Sequence, residues 1–483
     1  MDEALVRSLL PGFGIVGASD RLVASHDDLG IEAAVEVSAL PEGSLEDGPQ
    51  RLVAVASQVS ELAHRNLAGL LLAGYTEDGR WFLMTERPGE PTLARELRDL
   101  GPEPMALQRA LSILAQLASA LAAAHGKGIF HRDLRPELIG FGPTKPDDVV
   151  VQLHGLGRLT LLEAAGLVPR GDADIVSLAY ASPEQLVGGS EGAATDVYAF
   201  GALAFRLCTG RLPFECASAD LYKAAHCESI PPRPQDRRPG YLEPLPQAVD
   251  AMVLSCLEKD PAKRPAAGEM SRSLSEAARE EARRARDRQR ARGPLGAWKR
   301  IRDQAIETAR YVQYVQLGSE PLAEALAAFG PHDEALQERD QVVEEVAARW
   351  DEVHDEKRGR EHRLRHAALV LGLDRGRLVA LGAGDQPGAQ DLASQIGEVL
   401  QSLAVARGEA EVALQLATSE VTRAREAAED WARQEPNRVL DLVEAVRERR
   451  DASGDPSLQE RINALSDLVA QTEGGTVPTL PGQ

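Results

Sequence analysis

Three glycines near the start of the chain have the spacing of a loop that could bind phosphate. Gly12, Gly14 and Gly17 form a GxGxxG pattern in the string PGFGIVG. Because glycine has no side chain, backbone amides in such a loop can approach phosphate oxygens and donate hydrogen bonds to them. The pattern makes these glycines candidate residues for binding a nucleotide.

A second candidate site lies in HGKGIFHRDLRPELI, residues 125–139, which follows a long apolar segment of helical periodicity. This string resembles the catalytic loop of the Hanks-type protein kinases, a serine/threonine kinase family with many bacterial members. The resemblance implies that Asp133 accepts the proton of a substrate hydroxyl, while His131 and Arg132 hold the shape of the loop. Arg135 takes the place of the lysine that contacts the γ-phosphate in active relatives.

Four further segments resemble the family in the same order along the chain: ELAHRNL at 61–67, YASPEQL at 180–186, TDVYAFGALAFRLCTGRLPF at 195–214 and CLEKDPAKRP at 256–265. The resemblance covers residues 8–275 and implies an α+β fold with a small sheet lobe and a larger helical lobe. It also implies a buried ion pair between Glu184 and Arg264, and a central helix from which Asp196 anchors the catalytic loop. Ser177 indicates the serine/threonine class.

Several positions lack the side chains that hold ATP and magnesium in the family. The strand AAVEV places Glu36 where the family has a lysine that binds phosphate, and Val55 replaces the glutamate that pairs with this lysine. Leu138 and Gly155 stand at the two metal-binding positions and have no side-chain oxygen. We therefore expect a pseudokinase that needs no nucleotide or metal cofactor and acts as a scaffold or regulator in signalling.

An alternative interpretation remains open, in which the chain is an atypical active serine/threonine kinase. Asp133 is retained together with the two arginines beside it, and the glycine pattern offers a phosphate loop. The register of that loop is also open, since counting back from AAVEV aligns Gly14, Gly17 and Ser19 with the family's glycines. In this interpretation ATP and Mg²⁺ are the cofactors.

The chain after residue 275 is predicted to be mostly helical. Residues 276–296 predict a charged helical linker, 297–470 an α-helical bundle or coiled coil, and 471–483 a disordered tail. The clearest apolar stripe has steps of three and four residues: Leu414, Ala417, Val421, Ala424, Ala428 and Trp431. We expect these helices to contact partner proteins or a second copy of the chain. A further hypothesis is a helical interaction protein for which the kinase-like part is only a platform.

Composition limits the other functional classes. A net charge of -21 argues against general nucleic-acid binding, because a polyphosphate partner would be repelled. No uninterrupted apolar run approaches the roughly 20 residues of a membrane-spanning helix, so we expect no membrane span and a cytoplasmic location. The cysteines are scattered, which favours reduced thiols over disulfides or a zinc site: Cys208, Cys216, Cys227 and Cys256.

Overall fold

This computed structural model describes residues 14–18, 22–26, 29, 31–39, 48–75, 80–87, 91–142, 150–164, 175–292, 294–314, 319–380, 386–449 and 456–474. Gly12, Ser19 and the end of the predicted tail, 475–483, lie outside them. The chain divides into two compact units, which are treated separately below. The first comprises Met1–Glu281 and His354–Glu411, and the second Ala282–Val353 and Val412–Gln483.

The first unit begins with an antiparallel sheet of five strands in the order β1-β2-β3-β5-β4. The strands are β1 (Gly14–Ala18), β2 (Leu22–His26), β3 (Ile31–Ala39), β4 (Leu70–Tyr75) and β5 (Arg80–Glu86). Side chains alternate between the two faces of a strand. On β3, Ala33 and Val35 are therefore buried on one face, while Ala34 and Glu36 lie on the other.

Helix α1 (Gly48–Ser60) packs beside β4, with Leu52 and Val59 buried in the main core. Its apolar residues recur at helical spacing, which gives one face to the core and leaves the rest to solvent. Val55 lies on this helix, half-buried and packed against the core. An apolar side chain at this position is held by packing and needs no charged partner.

Helices dominate the chain after the sheet. The first are α2 (Leu93–Leu100) and α3 (Leu107–His125), and a 3-10 turn (Pro136–Leu138) then leads into the short hairpin β6 (Ile139–Phe141) and β7 (Val151–Leu153). The following helices are α4 (Arg158–Ala164), α5 (Ile175–Leu178), α6 (Pro183–Val187), α7 (Ala193–Thr209), α8 (Ala219–Glu228), α9 (Pro234–Arg237), α10 (Gln247–Cys256) and α11 (Ala267–Arg292). This order confirms the predicted α+β class. Helix α11 runs from the last of the kinase-like motifs through most of the segment predicted as a charged linker.

Among the described residues, α3 is the one helix whose length and apolar composition would suit a bilayer span. The sequence predicts no such segment, because polar residues such as Gln116 interrupt the apolar run. The mean hydropathy of the helix is nevertheless high enough to suit a span. Residues along α3, including Leu111, Leu114 and Leu117, are fully buried in the largest core of the first unit. Burial of this kind is typical of the core helix of a folded domain.

Two long helices contribute to the first unit from the far end of the chain. They are α14 (Phe329–Ala380) and α15 (Pro387–Ala432), and their parts within 354–411 cover the face of the sheet that carries Val35. Leu369 and Leu403 are buried there in one cluster with Phe82 and Met84. Part of the region predicted for partner contacts therefore packs on the chain's own sheet.

Polar contacts fix these helices to the strands. Arg358 donates to the carbonyl oxygen of Leu67 at 2.6 Å and to the carboxylate of Glu86, at the end of β5, at 2.7 Å. The Nε2 of His362 lies 2.6 Å from the carbonyl oxygen of Ser60. Close approach is possible at this contact because Gly69 has no side chain to meet the His362 ring.

The second unit has its own apolar core. It contains α12 (Pro294–Tyr314), α13 (Glu320–Ala327), α16 (Glu435–Arg447) and α17 (Pro456–Gly474), which pack around Ile301, Val312, Val439 and Leu465. Helix α17 includes the first four residues of the segment predicted as a tail. The predicted stripe on α15 is buried or half-buried along its length, and the Trp431 ring stacks on His332 at a centroid distance of 5.3 Å. A coiled coil in this region stays a prediction.

The substitution Gly69→Ala tests the docking of residues 354–411 on the sheet. An added Cβ would lie 2.6 Å from Nδ1 of His362, and closer still to Cε1, in a buried contact. We expect the free energy of unfolding to fall by about 1–3 kcal/mol, because the ring must shift. Hydrogen exchange should show faster opening of 354–411.

The double substitution Gly69→Ala and His362→Ala is the matched control. It removes the ring that the new methyl group would meet. The loss in the free energy of unfolding should therefore be smaller than the sum of the losses caused by the two single substitutions. Additive effects on the free energy of unfolding, with unchanged exchange in 354–411, would show that the helices do not pack on Gly69.

Candidate functional site

A cavity of about 180 Å³ lies between the inner face of the sheet and the segments around β6 and β7. Its apolar walls include Ala34, Leu70, Leu83 and Leu138. Its polar residues come from β3 and β5, from the loop before β6 and from the segment after β7: Glu36, Thr85, His131, Asp133, Arg135, His154 and Arg158. The cavity thus combines an apolar surface with opposed charges, the mixture expected of a small-molecule site.

The buried carboxylate of Asp196, on α7, organises the loop that carries Asp133. It accepts the backbone N–H of His131 at 2.9 Å and that of Arg132 at 2.6 Å, and it lies 2.8 Å from Nε2 of His125. Arg132 has a φ of 64°, an uncommon conformation for a residue with a side chain. The two backbone hydrogen bonds offset the cost of this conformation, so Asp196 determines the path of the loop.

The two arginines of this loop are bound differently. The Arg132 guanidinium donates to Glu163 and to Glu191, the latter at 2.8 Å, and these hydrogen bonds raise the pKa of Arg132. Arg135 lies 3.3 Å from the carboxylate of Asp133 and donates to the hydroxyl of Ser177 at 3.1 Å. Arg132 is therefore engaged away from the cavity, whereas Arg135 and Asp133 line it together.

Two histidines connect the loop with β7. The Nε2 of His131 lies 2.7 Å from the carbonyl oxygen of His154, and the backbone N–H of Asp133 points to Nδ1 of His131 at 3.2 Å. Both rings are almost fully buried. Burial lowers the pKa of His154 to about 4, so its imidazole is neutral at pH 7. His154 therefore adds no positive charge to the residues that line the cavity.

Glu36 is paired with a cation that the sequence analysis did not single out. Its carboxylate accepts two hydrogen bonds from Arg158, from Nε at 2.9 Å and from a terminal nitrogen at 2.6 Å. These bonds raise the pKa of Arg158, which therefore stays charged. Arg158 is the first residue of α4, three residues after Gly155, and only this proximity to a predicted site residue could have drawn attention to it.

The remaining predicted positions contribute backbone or packing. Leu138 is buried against the cavity, and Gly155 has a φ of 82°. Because one is a leucine and the other a glycine, neither supplies a side-chain oxygen. Gly14 and Gly17 lie in β1, opposite Ser25 and Val23 of β2. The structure thus places these two glycines in a paired strand, and Gly12 lies outside the described residues.

The pair that the resemblance implies in the helical region is present. Arg264 donates to both carboxylate oxygens of Glu184, at 2.7 and 2.9 Å, and its side chain is fully buried. The same guanidinium also donates to the carbonyl oxygens of Ala194 and Glu258, each at 2.8 Å. A buried charge needs several such partners, and these contacts join α6, α7 and the segment before α11.

Comparison with known proteins agrees with this geometry. The family model of the protein kinase domain matches residues 37–274. This part of the chain is therefore similar to a protein kinase domain, and the relatives it matches are bacterial serine/threonine-protein kinases. Its relatives include the serine/threonine-protein kinase pkn3 of Myxococcus xanthus, which is 35% identical over 232 residues, or 47% of this chain and 42% of pkn3.

Two other relatives come from other bacteria. The serine/threonine-protein kinase PknJ of Mycobacterium tuberculosis is 30% identical over 267 residues, which are 55% of this chain and 44% of PknJ. PrkC of Bacillus subtilis is 29% identical over 233 residues, or 48% of this chain and 34% of PrkC. The similarity thus spans less than half the length of each of these relatives.

These relatives overturn the expectation that the domain takes no cofactor. They are serine/threonine kinases, a class that uses ATP and Mg²⁺. The cavity suits a nucleotide, since its apolar walls could receive a base and its arginines a phosphate. For Mg²⁺, Asp133 is the described cavity carboxylate that is not held in a bidentate ion pair, and one carboxylate with substrate phosphates can suffice. Asp133 would therefore hold the metal, which neutralises charge on the phosphates when bound.

The low pKa of His154 predicts a pH-dependent stability that one substitution should remove. In the folded protein the ring stays neutral down to about pH 4, whereas in the unfolded chain it titrates near 6.5. As the pH falls below 6.5, only the unfolded state gains the proton, so stability is lost between pH 6.5 and 4. Burial is the main cause; Arg358 and His131 act in the same direction and Glu86 opposes them.

Between pH 7 and pH 5, His154 should account for about 2 kcal/mol of the lost free energy of unfolding. Urea unfolding of wild type and His154→Gln at both pH values measures this contribution. The variant should lose about 2 kcal/mol less than wild type. Identical losses would mean that the folded ring takes up a proton as readily as the unfolded one.

Proposed function

We propose that this protein is a catalytically impaired kinase-domain protein that binds ATP and Mg²⁺ and acts as a regulator or scaffold in signalling. The observation that carries the proposal is the residue set of the cleft. Glu36 takes the place of the strand lysine, and Leu138 and Gly155 take the places of the two metal ligands. Asp133 would then have to serve both as the metal ligand and as the base, roles that the family divides among several residues.

The size of the expected defect follows from the chemistry. Phosphoryl transfer depends on positioning the phosphates and neutralising their developing charge. Each loss of about 1.4 kcal/mol of transition-state stabilisation lowers the rate about tenfold. Replacing one cation and two metal ligands should therefore lower turnover by several orders of magnitude, even with nucleotide bound.

The regulatory role would use protein partners. We propose that the C-terminal helices contact other proteins or a second copy of the chain, that nucleic acid is not a partner, and that the protein acts in the cytoplasm. Support comes from the net charge of -21 and from exposed apolar side chains on α15, such as Leu416 at 61% exposure. Because 354–411 already covers the sheet, partner contacts would use other faces of these helices.

An active atypical serine/threonine kinase is the second candidate function. It is favoured by the intact loop around Asp133, whose backbone is held by Asp196 and His131. Asp133 also lines the cavity, and its side chain is 36% exposed, so a substrate hydroxyl could reach it.

Turnover of MgATP separates the two candidates. We expect the full chain to phosphorylate itself or a generic substrate far more slowly than a related active kinase measured alongside. Asp133→Asn should lower this rate further, because Asp133 would hold the metal, so the size of the wild-type rate is the measurement that separates the two candidates. Turnover comparable to that of the active kinase, abolished by Asp133→Asn, would establish the second candidate.

A restored metal ligand should raise the rate. A side chain at Gly155 is strained by the positive φ of this residue, although aspartate and asparagine enter this region more readily than most residues, and an added Cβ would have its nearest neighbour, the Cδ1 of Leu138, at 3.6 Å. Gly155→Asp is therefore expected to increase MgATP turnover by about tenfold or more. Gly155→Asn, which has the same shape without the charge, is the control. Equal rates for both variants would argue against a missing metal ligand as the cause.

A further inference from the structure

The ion pair between Glu36 and Arg158 reverses the polarity that the family places on this strand. Related kinases have a cation on the strand, whereas here the strand supplies an anion and the segment after β7 supplies the cation. Both side chains line the cavity, and each is 40% exposed. The charge needed to bind phosphate is thus present in the cleft, but it comes from the opposite wall.

Among the arginines near Asp133, Arg158 is the one most readily released to a ligand. Arg132 is held by two carboxylates and is only 13% exposed. Arg135 contacts Asp133 and the hydroxyl of Ser177. Within the described residues, the hydrogen bonds of the Arg158 guanidinium go to the single carboxylate of Glu36.

This pair is also one that a phosphate group could replace. Each side chain of this bidentate pair is 40% exposed, so after separation water can solvate the Glu36 carboxylate while a phosphate takes its place on Arg158. A guanidinium binds phosphate through two parallel hydrogen bonds, as it binds a carboxylate, and a polyphosphate carries more negative charge than one glutamate. Phosphate oxygens entering the cavity would therefore compete successfully for Arg158.

We propose that Arg158 binds the phosphates of a nucleoside polyphosphate in place of the strand lysine, and that Glu36 occupies Arg158 until the nucleotide enters. The inference deepens the proposed function and rests on its nucleotide-binding cleft. In this arrangement Glu36 is an internal competitor of the phosphates. It lowers nucleotide affinity, and after displacement it remains a negative charge beside them.

Two substitutions that break the same ion pair should act in opposite directions. Arg158→Gln removes the phosphate-binding cation and should weaken ATP binding by about tenfold or more, the typical effect of a lost hydrogen bond to a charged group. Glu36→Gln removes the competitor and should tighten ATP binding severalfold. If the pair were only structural, both variants would change affinity in the same direction.

Isothermal titration of the full chain with ATP, ADP and AMP, each with Mg²⁺ and with EDTA, measures these effects. Wild type should bind ATP more tightly than AMP, and Arg158→Gln should reduce this preference. Thermal unfolding of each variant checks that it is folded, and Arg158→Lys should restore part of the affinity because it returns the charge.

The inference alone is overturned if ATP binds and Arg158→Gln leaves its affinity unchanged, or if Glu36→Gln weakens binding as Arg158→Gln does. Absence of nucleotide binding would overturn both the inference and the nucleotide-binding part of the proposed function. Failure of the proposed catalytic impairment has a different signature, because it appears as rapid phosphoryl transfer abolished by Asp133→Asn. A chain that transfers phosphate rapidly could still bind it through Arg158, so the two outcomes are distinguishable.

Discussion

The carboxylate of Asp196 is the point on which the geometry of the cleft depends. It has no exposed surface, and a buried charge is tolerated only when hydrogen-bond donors replace water. Two backbone N–H groups and His125 surround it. The same bonds hold Arg132 in its unusual backbone conformation and so position Asp133 at the cavity. A helix built for the core of the domain thereby determines where a loop residue lies.

The cleft preserves this framework but changes the charges placed on it. His131, Asp133, Glu184 and Arg264 have the contacts that a kinase domain requires for its shape. Glu36 and Gly155, in contrast, alter only what a ligand meets inside the cavity. Stability and chemistry reside in different residues here, so the fold persists without the usual charge pattern. Because of this separation, the protein could bind a nucleotide without transferring its phosphate efficiently.

The long helices α14 and α15 give part of the C-terminal half a structural role in the first unit. Residues 354–411 bury the outer face of the sheet, and Arg358 binds Glu86 at the end of β5. Burial alone would raise the pKa of Glu86, but Arg358 and other donors outweigh it and the net pKa is lowered. Glu86 therefore stays charged and depends on these helices. The kinase unit is completed by residues that lie some 80 positions or more after the end of its family match at residue 274.

Local motifs were enough to predict the fold class, the similarity to protein kinases and most of the loop around Asp133. These features are encoded in short strings, where residue spacing and apolar periodicity are enough to specify them. It also indicated that Glu36, Leu138 and Gly155 depart from the family. Only the tertiary structure brought Arg158 to Glu36, 122 residues away, and 354–411 to the sheet. Such contacts depend on how distant elements pack, and the local sequence of either partner does not specify the other. The prediction that the domain needs no cofactor was wrong for the same reason. The sequence shows that the strand lysine is missing, but it does not show that Arg158 lies on the opposite wall of the cavity.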